Sequence, residues 1–587
     1  MLNRVVPRAL RLYIEAKGFL YLVASSRGGL AVSSVTQELN QTIGQLLWQR
    51  SEEYPNQEAA VFPDEGVRWT YRELFERASL VARALLGLGV QRGEHVAVWT
   101  TNKKEWLELQ FATGMIGAVL VTVNTNYKLL ELEYLLKQSD TTTLVLMPGF
   151  KDSNYLETLY TLCPELRTAQ PGKLQSAALP RLKNVIFLGD HFYPGLFTWQ
   201  HFLNLASTIS AQEFAAREGE LCPTDIINIQ YTSGTTGFPK GAMLSHRNII
   251  GNAIRIAQRM NLTSQDRLCI PVPFFHCFGC VLGILAAVTQ GSTIVALDYF
   301  SPRRTLETIE AERCTAVHGV PTMFITMLEH PLLAKTDLSS LRTGIMAGSS
   351  CPEEVMTAVI DKMGITEITI AYGQTEAAPV ITQTTVNDSF QRRVSTVGKP
   401  LPGVEVKVVD PETNLEVGPG VTGELCTRGF HVMQGYYNDP AATAQVIDSD
   451  GWLHTGDLAV QDADGYFQIV GRLRDMIIRG GENIYPREIE EFLHKHPKVS
   501  EAQVVSVPSL IYGEEVFAFV KLKKSVEATE HEILEFLRKR ISRHKVPSYI
   551  RFVSEFPLTA SGKVQKFKLQ DLARQLLPDQ EEKSVTA

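Results

Sequence analysis

The sequence predicts an α/β protein: a large N-terminal domain of several subdomains, built from layered sheets and helices, followed by a small mobile α+β C-terminal domain. Three observations carry this expectation. A chain of 587 residues is too long for one ordinary core. From about Thr42 onward, helical patterns alternate with short apolar runs, which is how α/β layers read in sequence. Near Gly471–Arg474 the composition changes, and the roughly 110 residues beyond carry helices and strands of their own, enough for a compact unit.

Taken in order, residues 1–41 form a basic N-terminal extension. Its first thirty residues set Arg4, Arg8, Arg11, Lys17 and Arg27 against one acid, Glu15, which reads as a plain basic tail or as a mitochondrial transit peptide. Residues 42–473 make the large domain. Tyr71–Gly87 is an amphipathic helix, with Leu74, Ala78, Val81, Ala82 and Leu85 at helical spacing and glycine at its end. Val96–Trp99 and Thr143–Met147 are short apolar runs of the α/β layering, and residues 206–224, polar and weakly patterned, read as a surface connection. Residues 474–587 make the C-terminal domain, with a helix at Pro486–His494, strands at Ala502–Val507 and Glu515–Leu522, and a helix opened by Thr529 and Glu532 in capping-box spacing. The boundary falls at Leu473–Asp475.

Composition narrows the function. A net charge of -7 argues against a general nucleic-acid binder. Hydrophobic content of 44% and charged content of 21% are those of a globular protein, and the apolar stretch Phe19–Ala24 is far below the ~20 residues of a membrane helix. Eight scattered cysteines suit a reducing compartment. Cys277 and Cys280 form one CxxC after His276, but no second pair follows, and Phe274, Phe275 and Phe278 mark the segment as apolar rather than metal-binding.

The chemistry begins after the alternating strand Asp225–Tyr231. Thr232, Ser233, Gly234, Thr235, Thr236 and Gly237 lead to Pro239, Lys240 and Gly241. Glycines let backbone amides approach an anion, while four hydroxyls and an ammonium supply donors to phosphate oxygens. A Walker A loop needs GxxxxGK followed by Ser or Thr; here Lys240 precedes glycine, and a short strand at Ala242–Leu244 precedes the N-cap Ser245. The loop therefore belongs to another class of polyphosphate binder. A Ser/Thr/Gly turn without ligand is the bland alternative, and ten ordered positions make chance a poor account of it.

At this point the chain resembles the adenylate-forming superfamily of acyl-CoA synthetases, peptide-synthetase adenylation domains and beetle luciferases, from about residue 42 to 573. Within it, the text is most similar to medium- to long-chain fatty-acid–CoA ligases, including the animal mitochondrial medium-chain branch (acyl-CoA synthetase family member 2-like). The resemblance implies ATP, Mg²⁺ and coenzyme A as reactants and cofactor, and a cycle in which acyl-adenylate forms and coenzyme A then takes the acyl group. It assigns Thr375 of Tyr372-Gly-Gln-Thr-Glu376 to the α-phosphate, Glu376 to the metal and Tyr372 to the adenine. It assigns Gly348 to the loop against adenine, Asp457 of Trp452-Leu-His-Thr-Gly-Asp to the ribose, and Arg472 to the ribose and phosphate. It makes Arg474 the hinge, Gly480 and Gly481 the wall of the thiol channel, Lys563 the catalytic lysine of adenylation, and His276 a gate beside the acid.

Arginine at 474 departs from the aspartate or lysine common in relatives. Arg479 and Arg487 read as solvated charge. Candidate pocket walls (Phe275, His276, Gly279, Val320, Met323, Ala347 and Ala378) are mostly apolar, favouring an alkyl tail. Alternatives are adenylation of an aryl or short-chain acid, a peptide-synthetase module (though the chain ends 24 residues after Lys563), a luciferase-type oxygenase, or a non-catalytic nucleotide binder, which need not keep Lys563, Glu376 and Asp457 together. The expected partners are small molecules (fatty acid, ATP and coenzyme A), with no nucleic acid, no transmembrane segment, and a homodimer as an open option. The expected location is cytoplasmic, or the mitochondrial matrix if residues 1–41 are a transit peptide.

Overall fold

The computed structural model describes residues 39–232, 239–349, 351–480, 482–559 and 562–577. Most of the basic extension, Ser233 to Gly237 of the phosphate loop, and Gly481 lie outside the described residues.

Two large sheets dominate the described part of the N-terminal domain. In the first, nine strands run in the order Lys399–Pro400, Val380–Gln383, Glu367–Gly373, Thr343–Ala347, Ala316–Gly319, Arg267–Ile270, Thr293–Ala296, Glu58–Phe62 and Val67–Thr70. From Glu367–Gly373 to Glu58–Phe62 these strands pair in parallel. In the second sheet, seven strands run from Lys240–Ser245 through Ile226–Thr232, Val119–Thr122, His95–Trp99, Thr143–Leu146 and Asn184–Phe187 to Phe197–Thr198. Parallel strands need both faces covered, and strands such as His95–Trp99 and Thr143–Leu146 are buried along their whole length. The helix His246–Arg259 belongs to the same core as both sheets, with Ile249, Ile250, Ala253, Ile256 and Ala257 all buried.

The sequence-predicted elements hold. The helix Tyr71–Gly87 begins on a reciprocal capping box between Thr70 and Glu73, worth about 1 kcal/mol, and buries the five apolar positions expected of it. Each large apolar side chain so buried contributes roughly 1.5–3 kcal/mol. The strand Lys240–Ser245 does precede a helix capped by Ser245, whose hydroxyl accepts the N–H of Asn248. The connection expected over 206–224 is not unstructured: Ser210 and Glu213 form a capping box that starts the helix Ala211–Gly219. Phe214 is its only buried residue, so its apolar period was too sparse to read.

A four-stranded antiparallel sheet follows, in the order Val404–Val409, Gly423–Gly429, Leu453–Gln461 and Phe467–Arg472. After the single 3₁₀ turn Leu473–Asp475 the C-terminal domain folds on its own sheet. There Val499–Ser509 and Gly513–Leu522 form a long hairpin, Tyr549–Phe552 adds in parallel, and the helices Pro486–His494 and Glu530–Arg538 cover it. Its apolar core, built around Ile477, Ile489, Leu493, Val504, Ala518 and Ile533, is separate from the N-terminal core.

Candidate active site

The site gathers where open α/β sheets place ligands, at the carboxyl ends of parallel strands. His276 follows the strand Arg267–Ile270, Gly348 follows Thr343–Ala347, and Tyr372 ends Glu367–Gly373. Thr232 sits at the same end of its strand in the second sheet, in register with Lys240.

Glu376 is the hub of the phosphate side. Its Oε1 accepts from the Tyr436 hydroxyl at 2.8 Å and from the Thr232 hydroxyl at 3.4 Å. The backbone carbonyl of Glu376 accepts the N–H of Met433 at 2.9 Å, fixing the 3₁₀ turn Thr375–Ala377 against the facing loop. That turn ends at Ala378, whose φ of 58° is costly for a residue with a Cβ. The ammonium of Lys240 lies 5.2 Å over the Tyr436 ring. Tyr436 was not singled out in the sequence; a tyrosine sixty positions beyond its partner gives no local signal.

On the nucleoside side, strand register sets Asp457 opposite Arg472. Asp457 Oδ2 accepts from the Tyr372 hydroxyl at 2.8 Å, and Oδ1 lies 3.3 Å from Arg472 Nε. Burial raises the Asp457 pKa, and the Arg472 charge works against that rise. A buried carboxylate with one tyrosine and one guanidinium as partners is an acceptor held ready for hydroxyl donors.

Lys563 reaches this cleft from the other domain. A short antiparallel bridge between Leu558 and Val564 closes its loop, and its own N–H donates to the Thr559 hydroxyl at 3.0 Å. A Cβ placed on Gly562 would stand 3.0 Å from Val320 Cγ2 and 3.3 Å from Thr322 Oγ1, so glycine is what lets the loop sit this close. One placed on Gly348 would stand 3.5 Å from Lys563 Cε, which puts the lysine stem directly over that glycine. Burial lowers the Lys563 pKa, opposed by Cys277, Asp457 and Glu376 and reinforced by the Arg472 charge. Lys566, three residues on, ties the base of this loop to Glu490 at 2.8 Å.

His276 stands beside the same lysine. Burial, then the Lys563 charge, depress it to about 3, and its Nδ1 accepts the Phe278 N–H at 3.1 Å. It is therefore neutral, with its proton on Nε2. Cys277 comes 3.7 Å from the Thr375 hydroxyl, and burial pushes its thiol up to about 11. Of the pocket candidates, Phe275, Val320, Met323, Ala347 and Ala378 are buried. Gly279 instead packs on the chain: a Cβ there would stand 2.2 Å from the Pro273 carbonyl oxygen.

Two predicted residues stand apart from this cluster. Arg474 has a side chain 48% exposed and lies 3.5 Å from Asp475. Gly480, with φ of 60°, donates its N–H to the Tyr512 carbonyl at 2.8 Å, within the C-terminal domain. Arg479 is not simply solvated: it pairs with Glu515, donates to the His544 carbonyl at 3.1 Å and stacks 4.5 Å over the Tyr512 ring.

Residues 47–437 match the AMP-binding enzyme family, and residues 488–563 match the AMP-binding enzyme C-terminal domain. The chain belongs to the AMP-binding enzyme family. It is 54% identical over 533 residues to YngI of Bacillus subtilis, named as an acyl-CoA synthetase, covering 91% of this chain and 97% of that protein. It is 45% identical to the mitochondrial medium-chain acyl-CoA ligase ACSF2 of Danio rerio, covering 90% of this chain and 88% of the relative. Its fold matches the crystal structure of ATP-bound MatB from Rhodopseudomonas palustris with a TM-score of 0.79 at 29% identity, covering 91% and 99% of the two chains. As an AMP-binding enzyme the chain is an AMP-forming acyl-CoA ligase, working through an acyl-adenylate.

Proposed function

We propose that this ligase activates a medium-chain fatty acid, with Lys563 serving the adenylation half-reaction and a domain rotation at Arg474 serving thioester formation. The observation that carries the reading is the convergence of Lys563, Asp457, Arg472, Thr375 and Glu376 on one cleft from both domains. The ACSF2 relatives supply the chain length, and the buried apolar candidates Val320, which packs on the lysine loop, Met323 and Ala347 agree with it.

In this account ATP lies with its ribose on Asp457 and Arg472, its adenine near Gly348 and Tyr372, and its phosphates toward Thr232, Thr375 and Lys240. The resemblance assigns residues 233–237, which lie outside the described residues, to the phosphates as well. Glu376 fits a magnesium ion, being a carboxylate held by the Tyr436 and Thr232 hydroxyls at the phosphate end of the site. Bound there, Mg²⁺ would neutralise phosphate charge. The acid carboxylate attacks the α-phosphorus and pyrophosphate leaves; the charge that builds on the transferring group faces the Lys563 ammonium. Neutral His276, its proton fixed on Nε2, orients the acid by donation. Because both half-reactions use one cleft, Lys563 then withdraws, and a turn at Leu473–Asp475, with the exposed Arg474, is the pivot. Gly480 and Gly481 then border the incoming thiol. The domains divide there, at 42–473 and 474–587, and a cytoplasmic or mitochondrial-matrix location is consistent with the relatives; no helix among the described residues is long and apolar enough to cross a membrane.

The test is acid-dependent release of AMP and pyrophosphate with ATP and coenzyme A across saturated acids of increasing length. The reading expects kcat/KM to peak at medium chains such as octanoate. A peak with aryl acids or acetate overturns the fatty-acid assignment.

A further inference from the structure

One cluster of ligand atoms lies outside the cleft just described. In the four-stranded sheet, Glu424 and Cys426 stand two apart on one strand and so share a face, and register sets Cys426 opposite His454 on the next. A Glu424 carboxylate oxygen, Cys426 Sγ and His454 Nδ1 all lie within 4.8 Å of one another. His454 Nδ1 is 2.8 Å from Glu424 Oε2 and 3.4 Å from Cys426 Sγ. Cys426 is fully buried, and the Glu424 and His454 side chains are 12% and 21% exposed.

Further polar groups stand behind these three ligands. Behind the imidazole, Asp448 Oδ2 lies 3.7 Å from His454 Nε2, and Asp448 is itself held by the N–H groups of Asp450 and Trp452. Glu424 Oε1 accepts the Gly456 N–H at 2.9 Å, which leaves Oε2 as the oxygen facing the histidine and cysteine. Lys407, in register with Cys426, turns its ammonium onto the Trp452 ring at 4.3 Å. One thiolate, one imidazole and one carboxylate suit Zn²⁺ and not Mg²⁺, which asks for oxygen ligands in an octahedron.

We propose that Glu424, Cys426 and His454 form a Zn²⁺ site whose occupancy weakens nucleotide binding. Coordination displaces the Cys426 thiol proton to solvent. It also separates Nδ1 from Oε2, because two light-atom ligands on tetrahedral zinc stand about 3.3 Å apart. We assign that movement to Glu424, whose other oxygen then loosens its hold on Gly456, the residue before Asp457. Losing that hydrogen bond, at about 0.5–1.5 kcal/mol, raises KM for ATP roughly 2- to 12-fold. This second limb rests on the reading of Asp457 as the ribose acceptor; the binding limb does not.

The experiment titrates Co²⁺, as a spectroscopic stand-in for Zn²⁺, into the chelator-treated full-length protein and follows the thiolate-to-cobalt absorption band. The expected result is a band at one equivalent, bleached by Zn²⁺, absent in Cys426→Ser and at least about tenfold weaker in affinity in His454→Asn, which keeps the thiol. Assays at saturating Mg²⁺ then expect Zn²⁺ to raise KM for ATP in wild type and not in Cys426→Ser. No band at large excess of Co²⁺, or a band that survives in Cys426→Ser, overturns the site. The band with no change in KM keeps the site and overturns the coupling to Asp457.

Discussion

Replacing Lys563 with alanine separates the two half-reactions. The ammonium sits on a stem packed over Gly348, in a loop whose Gly562 rests on Val320 and Thr322. At about 4 Å from a developing phosphoryl charge, with an effective dielectric near 20, one unit charge is worth about 4 kcal/mol. Desolvation of the lysine offsets part of this, so a loss of about 3–4 kcal/mol, or 10²–10³ in rate, is expected for adenylation. The assay is single-turnover pyrophosphate release from ATP and octanoate without coenzyme A, set beside transfer from supplied octanoyl-AMP to coenzyme A. Adenylation should fall by that factor while transfer stays within about threefold, because the proposed cycle withdraws Lys563 before the second step. Equal losses in both steps, or adenylation preserved within about tenfold, would refute the reasoning. The pH profile adds a second reading. Only the protonated lysine is active, and burial lowers its pKa, so adenylation should fail on the alkaline side below the ordinary lysine range. Lys563→Arg, charged throughout, should lose that limb even if its rate is reduced.

Three further outcomes follow from the same geometry. Asp457→Asn leaves Arg472 without its carboxylate and removes a charged acceptor worth about 1.5–3 kcal/mol, so kcat/KM for ATP should drop roughly 10- to 150-fold with the melting temperature little changed. Tyr436→Phe deletes the 2.8 Å bond to Glu376 and should raise the Mg²⁺ concentration needed for half-maximal rate by about 2- to 12-fold, as measured in a metal titration. Acid stability should be set largely by buried histidines: burial depresses His246 to about 3, below its ordinary value near 6.5. The unfolded chain therefore takes the proton first, and stability is full above about pH 6.5 and is lost as pH falls toward 3, by roughly 4–5 kcal/mol from this residue alone. His246→Asn, whose amide oxygen can accept the Ile43 N–H now held at 3.1 Å by Nδ1, should flatten urea-measured stability across that range; an unchanged slope would remove His246 from the account.

Local elements were legible where apolar period and caps agreed. Tyr71–Gly87 and Pro486–His494 are the helices the pattern gives, because both carry a full apolar stripe. The helix Ala211–Gly219 escaped because a capping box, and not a stripe, starts it. Strand order was not legible at all: Glu58–Phe62 pairs in parallel with Thr293–Ala296, more than two hundred residues away, and nothing local encodes that choice. Candidate residues inside ordered motifs, such as Thr375, Glu376, Asp457 and Lys563, stand out in the sequence because each follows a recognisable turn, and the fold brings them to one cleft. Tyr436 and Thr322 did not, since each is brought to the cleft only by what the fold sets beside it, and Cys277 read only as part of an apolar segment. Arg479 read as solvated for the same reason, its partner Glu515 lying on another strand.

The most direct measurement mixes the full-length protein with ATP, Mg²⁺ and octanoate, and adds coenzyme A only after a delay. A burst of about one equivalent of pyrophosphate with enzyme-held octanoyl-AMP is expected, then AMP and octanoyl-CoA in equal amounts once the thiol arrives. Release of ADP and phosphate, or pyrophosphate release that does not depend on the acid, would contradict it.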